Sequence, residues 1–401
     1  MQRYAHEAAV HLASRGAEVT VFCEPPRAAT GEGAERRAAR SGAFSVRFVA
    51  SPRLPILGRW PGTVILDRIT NYFAFSERAA RQVLASGGER PFDVVYAQGL
   101  GGWGVARRAA ASGWDGPALV SNNHGMEEFK NTDPRKHLLY APFRAGIRRT
   151  ARAAAAVVVT DLAARDESRR LLGFSARTWA VVPTPIDLAG IERLRDDALR
   201  ARWRERLTVR DGAPLIVSVA RLERNKGLDV AIDAFATVRD RLPSGWRWAI
   251  VGQGSQQDRL SVAVAAHGLA GAVQLVGGVG DAELHGLYAA ADLFVHPTLF
   301  EGTSIVTQEA MAHALPIVAS AAGGIPEKIT HGVSGLLVPP GNRQALALAI
   351  VSVLTLPDRG RALGRAAREV VAARFDWPKV AAELLAALAR ARESASRTLD
   401  N

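Results

Sequence analysis

The stretch Phe300-Glu301-Gly302-Thr303-Ser304-Ile305-Val306-Thr307-Gln308-Glu309-Ala310 sets two carboxylates eight positions apart, around a glycine and two hydroxyls. Upstream, Val219-Ala220-Arg221-Leu222-Glu223-Arg224-Asn225-Lys226-Gly227 closes a β-branched run and enters an amphipathic segment; downstream, Gly323-Gly324-Ile325-Pro326-Glu327 forms a turn. Two acids, two cations and several exposed backbone N–H groups suit a long ligand: a sugar at one end, a diphosphate in the middle and a ribose at the other. With helical backbone between them, the acids stand about 12 Å apart along the axis at about 1.5 Å per residue. A glycosidase acid pair needs roughly 5–9.5 Å across one bond. The spacing favours reaching two parts of one ligand.

Outward from this stretch, short β-branched runs alternate with amphipathic helical ones, the pattern of an α/β protein with parallel sheets. Strands are expected at 18–23, 45–50, 93–97, 118–121, 157–160 and 179–182, then at 215–220, 247–251, 273–276, 293–295, 316–319 and 335–338. Helices are expected at 228–242 and 281–290, among others. Pro183-Thr184-Pro185-Ile186-Asp187 separates the two sets, and two prolines two apart continue neither a helix nor a central strand. Glu24 to Gly42, rich in Pro, Gly, Ala and charge, reads as a loop. The chain opens on a helix with Tyr4, Ala8 and Leu12 on one stripe, where a βαβ sheet ordinarily opens on a strand.

The 401 residues suffice for two domains, and 48% hydrophobic residues is ordinary for full cores. The longest apolar run, Ala153 to Val159, is far short of the roughly 20 residues of a membrane-spanning helix. No basic-then-apolar leader pattern opens the sequence, which points to the cytoplasm. The single cysteine, Cys23, excludes an internal disulfide, and the nine histidines form no ligand-spaced cluster, so no metal is expected. The net charge of +12 is uneven: residues 1–187 hold 26 Lys+Arg against 17 Asp+Glu, +9. A basic face there suits an anionic membrane surface or an acidic acceptor, and no recognition motif accompanies it that would indicate nucleic acid. Pro52 to Leu66 mixes Arg53, Arg59 and Trp60 with apolar residues, an interfacial composition, and Arg144, Arg148, Arg149 and Arg152 form a second basic stretch at helical spacing.

Each motif has a plain structural reading beside the functional one. Arg221 and Lys226 at a strand end can grip a diphosphate, or can be two solvated cations. Gly252 and Gly254 after a strand let backbone approach a ligand, though such turns are common. Gly302-Thr303-Ser304-Ile305 opens the helix that carries Glu309; its N–H groups seat phosphate, and Thr303 or Ser304 can cap it in either case. Gly99-Leu100-Gly101-Gly102-Trp103-Gly104 matches a dinucleotide fingerprint, but the next strand ends in Asn122-Asn123 where a ribose-binding acid is wanted, so NAD is not expected. His124 follows a strand and can polarise a hydroxyl or be structural.

At these residues the chain resembles the large retaining glycosyltransferase family 4. The resemblance covers nearly the whole chain and rests on Arg221…Lys226-Gly227, Val251-Gly252-Gln253-Gly254, the Glu-x7-Glu pair, Gly323-Gly324-Ile325-Pro326-Glu327, His124-Gly125 and Phe375-Asp376-Trp377. It implies the GT-B architecture: an acceptor-side Rossmann-like domain at 1–185, a nucleotide-sugar-binding one at 186–376, and a last helix within 377–401 that crosses back onto the first. It implies retaining, metal-independent transfer from a nucleoside-diphosphate sugar to a sugar, lipid-linked or small-molecule hydroxyl acceptor. By the same resemblance Arg221 and Lys226 hold the diphosphate, Glu301 contacts the sugar and Glu309 the ribose. The amides of Gly302, Thr303, Ser304 and Ile305 meet sugar and phosphate, Gly252 lies beside the donor, Gly278 and Val279 line the base, and His124 faces sugar and acceptor. Two departures stand out. The family's Pro-Asn-Gly-Val-Asp is Pro183-Thr184-Pro185-Ile186-Asp187 here, and its first strand and Gly-Gly loop, expected just before Met1, have no counterpart. The second departure predicts an exposed apolar groove beside 18–23 and a poorly anchored 1–15. Two alternatives share the fold: a relative that epimerises or hydrolyses a sugar nucleotide, and a non-catalytic nucleotide-sugar binder.

Overall fold

The computed structural model describes residues 2–25, 44–49, 64–85, 91–110, 114–123, 126–130 and 133–397. The chain divides into two units, one of residues 1–182 with 380–401 and the other of residues 183–379. The sequence expectations for His124, for most of Glu24–Gly42 and for most of Pro52–Leu66 lie outside the described residues.

In the first unit, β1 (Thr20–Cys23) and β2 (Ser45–Phe48) pair in parallel as a two-stranded sheet. A four-stranded parallel sheet follows in the order β3 (Val94–Gln98), β4 (Ala118–Asn122), β5 (Ala156–Val159) and β6 (Trp179–Val181). Every residue of β4 and β5 is buried. A parallel strand covered by helices on both faces needs a continuous apolar run, not an alternating one, and Ala153–Val159 supplies it.

The opening helix, Gln2–Ala13, is anchored, contrary to the expectation for 1–15. Ala8, Ala9 and Leu12 are buried, and Tyr4 Oη lies 3.1 Å from Tyr96 Oη on β3. Residues four apart share a helix face, so the Tyr4–Ala8–Leu12 stripe is the face that docks. The strand β1 beside it is half-buried along its length.

Two glycines of Gly99–Gly104, Gly102 and Gly104, serve packing. A Cβ on Gly104 would sit 2.3 Å from the Ser76 carbonyl oxygen, and one on Gly102 2.7 Å from Ala97 Cβ. Ser76 Oγ donates to Gly101 O (2.8 Å) and accepts from Gly104 N (2.8 Å), so a neighbouring helix occupies the space a ligand would need. The last helix, Trp377–Arg397, sets Val380, Leu384, Ala387 and Ala391 on one buried stripe with Val120 and Val158.

The second unit holds a six-stranded parallel sheet: β7 (Leu215–Val219), β8 (Arg247–Val251), β9 (Val273–Gly277), β10 (Leu293–His296), β11 (Ile317–Ser320) and β12 (Leu336–Val338). The spatial order is β12-β11-β10-β7-β8-β9. Strands β7 to β9 wind one way and β10 to β12 the other, so the strand order reverses between β7 and β10. In open α/β sheets ligands bind outside the carboxyl ends of the strands at that reversal. Trp248 Nε1 donates to Ser218 Oγ (3.0 Å), which donates to Val295 O (2.6 Å), linking β8, β7 and β10 through the core. Phe235 stacks on Trp248 with ring centroids 4.3 Å apart.

Candidate active site

At the carboxyl end of β7 the chain turns through Arg221–Gly227. Gly227 has φ +61°, and a Cβ there would meet the Pro297 carbonyl oxygen at 2.2 Å, so only glycine lets the β7 turn approach the loop after β10 this closely. Asn225 O accepts from Leu299 N (2.8 Å) and Thr298 Oγ1 (3.0 Å), fixing the two loops together. This contact delivers Lys226 to Glu301: Nζ donates to Oε2 at 2.7 Å, with both side chains nearly buried. His296, the last residue of β10 and 2% exposed, places Nε2 3.1 Å from the same Oε2 and 3.3 Å from Ser304 Oγ.

Burial pushes the Glu301 carboxyl up, but the hydrogen bonds of His296 and Lys226, and then their charges, outweigh it and hold the pKa at about 2. Glu301 is therefore a carboxylate at any physiological pH, fixed by two donors on one oxygen. The turn beneath it is equally constrained. Gly323 has φ +54°, a Cβ on it would fall 1.8 Å from the Glu301 carbonyl oxygen, and Gly324 N donates to Gly302 O (3.2 Å).

The helix that carries Glu309 spans Ile305–Ala312. The segment from Glu301 to Ser304 is not helical, so the rise of about 12 Å expected from eight helical steps does not apply. Ser304 is the reason: its backbone is extended, and its Oγ caps the helix by accepting from Thr307 N (3.4 Å) and Thr307 Oγ1 (2.6 Å). Lys328 Nζ, buried, donates to Ser304 O (2.9 Å). Ile305, Leu299 and Phe300 are exposed at the same carboxyl edge.

Glu309, half-buried one turn further on, accepts from Tyr288 Oη at 3.1 Å. Tyr288 is fully buried, and burial followed by the Glu309 charge raises its phenol well above the ordinary value, so it stays a donor. Its ring stacks on His313 at 5.5 Å. His313 Nε2 lies 3.0 Å from His285 Nδ1. Burial, then His285, Arg195 and Arg368, push the His313 pKa down to about 3, so the His313 ring is neutral at physiological pH.

Arg221 is exposed, and its guanidinium makes no hydrogen bond or ion pair with described residues; its charge adds to the lowering of the Glu223 pKa that begins with the Ser255 hydrogen bonds. Gly252, φ +137°, lies against the Ala220 carbonyl oxygen, 1.8 Å from where its Cβ would be, so β8 exits tightly beside Arg221. Gly278 is exposed and Val279 half-buried after β9. The sheet thus gathers Arg221, Lys226, Gly252, Gly278, Val279, Glu301, Gly302–Ile305 and Glu309 at its carboxyl edge, with Arg221, Lys226 and Glu301 at the β7/β10 reversal. Among the described residues, no group of three or more His, Cys, Asp or Glu side chains is placed to hold a metal ion.

Sequence reasoning missed His296, Tyr288 and Lys328. His296 carried a usable signal, since it ends a β-branched run just as Ala220-Arg221 follows one. Tyr288 and Lys328 carried none: an aromatic at helical spacing reads as core, and a lysine in a turn as solvated.

Comparison with known proteins gives the family. Residues 200–370 match the model of glycosyl transferases group 1, and residues 1–189 that of glycosyltransferase family 4. A D-inositol 3-phosphate glycosyltransferase of Kineococcus radiotolerans is 30% identical over 98% of this chain and 90% of its own length. A GDP-mannose-dependent α-(1-6)-phosphatidylinositol monomannoside mannosyltransferase of Mycobacterium tuberculosis is 34% identical over 57% of this chain, and the match spans 60% of that protein. The fold is similar to that of Anabaena HepE, solved with UDP, at a TM-score of 0.69 and 20% identity over 96% of each chain. The chain belongs to glycosyltransferase family 4 and has the GT-B fold.

Proposed function

We propose that this family 4 member moves a sugar from a nucleoside-diphosphate sugar to a hydroxyl acceptor, with retention at the anomeric carbon and without a required metal. The acceptor class is a glycolipid, a polysaccharide or a small-molecule glycoside. The observation that carries the reading is the Lys226–Glu301–His296 cluster at the strand-order reversal, with Arg221 exposed beside it. As the donor's glycosidic bond breaks, negative charge grows on the departing diphosphate. Arg221 and Lys226 would stabilise that charge, the part a divalent cation plays elsewhere. Glu301, held ionised, would accept from sugar hydroxyls, and Glu309, aimed by Tyr288, from the ribose. The amides of Gly302 to Ile305 would meet the sugar and the phosphate, Gly252 would lie beside the donor, and Gly278 and Val279 would line the base. His124 would face the sugar and the acceptor, on the strength of the family resemblance.

The relatives support a nucleotide-sugar donor while differing in base: one is described as GDP-mannose-dependent and another was solved with UDP. The basic first half supports a cytoplasmic protein peripheral to an anionic membrane. Among the described residues no helix is long and apolar enough to cross a membrane.

The test is a panel of GDP- and UDP-sugars scored for diphosphate release with and without lipid and sugar acceptors, in the presence and absence of a chelator. Acceptor-dependent release, unchanged by chelation and giving a product of unchanged anomeric configuration, is the expected result. Equal release of free sugar without acceptor would instead assign hydrolysis, and an inverted product would overturn retention.

A further inference from the structure

A cavity of about 1140 Å³ lies in the first unit, lined by none of the described residues assigned to the donor above. It runs between the helices Trp103–Ala109 and Ala141–Ala153 and ends under the amino ends of β4 and β5, near the last turn of the helix Trp377–Arg397. That is the sheet edge opposite the carboxyl ends.

Its lining is polarised along its length. At one end Pro142 and Gly146 face Phe73 and Trp103, whose rings meet edge-on at 4.7 Å. At the other, Arg148, Arg149 and Arg152 line it together with Arg177, and no carboxylate is among the described lining residues. The four arginines of helix Ala141–Ala153 divide into two groups. Arg144 is buried, with Nη1 donating to His137 O (2.6 Å), and Arg148 donates to the carbonyls of Leu171 and Leu172 (3.1 and 3.2 Å). Both are structural, so the basic stretch expected from the sequence is half as large at the surface. Arg149, Arg152 and Arg177 are exposed and make no hydrogen bond or ion pair with described residues; Arg152 lies over the Phe174 ring at 4.8 Å, which leaves its N–H groups open. Arginine in a last helical turn offsets the helix dipole. That accounts for Arg152, but not for Arg177 on another segment, nor for an aromatic slot continuous with the three cations.

We infer that this cavity binds an anionic phospholipid, its phosphate on Arg149, Arg152 and Arg177 and the start of its chains in the Trp103–Phe73 slot. Guanidinium groups match phosphate in charge and in paired N–H geometry, and the apolar half excludes a small hydrated anion as the best occupant. The inference rests on the peripheral-membrane part of the proposed function and supplies its site. Arg152 and Arg177 stand just before the amino ends of β5 and β6, so the phosphate is held on the side away from the carboxyl edge, and the lipid is an anchor and not the acceptor.

The full-length protein is titrated with a short-chain phosphatidic acid below its micelle concentration, with the matching phosphatidylcholine and with inorganic phosphate, by calorimetry and tryptophan fluorescence. Sedimentation with anionic and neutral vesicles runs in parallel. The expected order is phosphatidic acid well above both controls. The Arg149→Gln, Arg152→Gln, Arg177→Gln triple variant should lose anionic-vesicle binding on the order of a hundredfold, at about fivefold per cation. Nucleoside-diphosphate binding in that variant should be unchanged, which also reports that it folds. Trp103→Phe should weaken the lipid more than it weakens phosphate. Vesicle binding that survives the triple substitution overturns this cavity while leaving membrane association standing. Wild-type protein indifferent to vesicle charge overturns both, and inorganic phosphate competing as well as the lipid assigns a free anion instead.

Discussion

Replacing Lys226 by Met tests the electrostatics of the Glu301 cluster directly. Glu301 falls from an ordinary 4.5 to about 2, so its ionised form is favoured in the fold by about 2.5 pKa steps, roughly 3 kcal/mol at 1.36 kcal/mol each. That figure is net of burial and shared between His296 and Lys226, whose hydrogen bonds converge on one oxygen. Removing Lys226 alone should cost about 1–1.5 kcal/mol at pH 7, somewhat under half of the total, because His296 outranks it in both hydrogen bond and charge. For a unit of this size that lowers its melting midpoint by roughly 2–6 °C. The pH dependence follows from the direction of the shift. A carboxylate whose folded pKa is depressed contributes its full stability above the unfolded value of 4.5, and loses it as pH falls toward 2. The gap between wild type and Lys226→Met should be constant from about pH 8 to 5 and close progressively below about 4.5. Thermal melts by circular dichroism across that range, with Glu301→Gln and the double variant completing a cycle, give the coupling. A gap still undiminished at about pH 2, or strict additivity of the two substitutions, would refute the account.

Four further outcomes can be measured. Lys226→Ala should weaken nucleoside-diphosphate binding by about 1.5–3 kcal/mol in calorimetry, and unchanged affinity would remove Lys226 from the donor site. Gly323→Ala forces a Cβ onto the Glu301 carbonyl oxygen at φ +54°, so it should cost about 1–3 kcal/mol and lose donor affinity; a variant with wild-type melting would show that the turn yields freely. Tyr288→Phe removes the donor to Glu309 and should raise the donor KM several-fold with little change in kcat, whereas equal losses in both would point to the chemical step. Glu309→Ala should discriminate less between ribose and deoxyribose diphosphates, read from the ratio of their dissociation constants.

The elements were readable wherever a periodic run had clear punctuation. The helix Asp281–Ala290 and the strand Arg247–Val251 have the bounds their sequences suggest, because Gly280 and Gly252 stop the neighbouring patterns. The cluster at Glu301 was not readable in the same way. Lys226 and Glu301 are 75 residues apart and meet because β10 lies beside β7 and not beside β9, a pairing that no local pattern encodes. The Glu301–Glu309 interval misled for a local reason. Helix propensity runs through Ile305–Ala312, but Ser304 competes for the first free N–H groups and ends the helix there. The polar partners that aim the two acids, His296 and Tyr288, are buried, and sequence patterns seldom distinguish a buried polar residue from the core around it.

That concealed layer bears on how the site would work. Lys226 is oriented before any ligand arrives: it is nearly buried, one of its N–H donors is held by Glu301, and the loop beneath it is fixed through Asn225 O. Arg221 is exposed and makes no ion pair among the described residues, so a ligand would have to order it, at a cost of up to about 2 kcal/mol in side-chain freedom. The two cations are therefore unequal. Lys226 would contribute a charge fixed in place beforehand, the condition under which electrostatic stabilisation of a developing diphosphate is most effective. Arg221 would contribute reach and a paired N–H fork that follows the leaving group as its charge grows. The carboxylate that orients Lys226 also lowers the local positive potential. The helix beginning at Ile305 works against that loss, because its amino end carries partial positive charge a short way along the chain from Glu301. A sugar hydroxyl could then hydrogen-bond to Glu301 without the acid neutralising the cation needed for the phosphate.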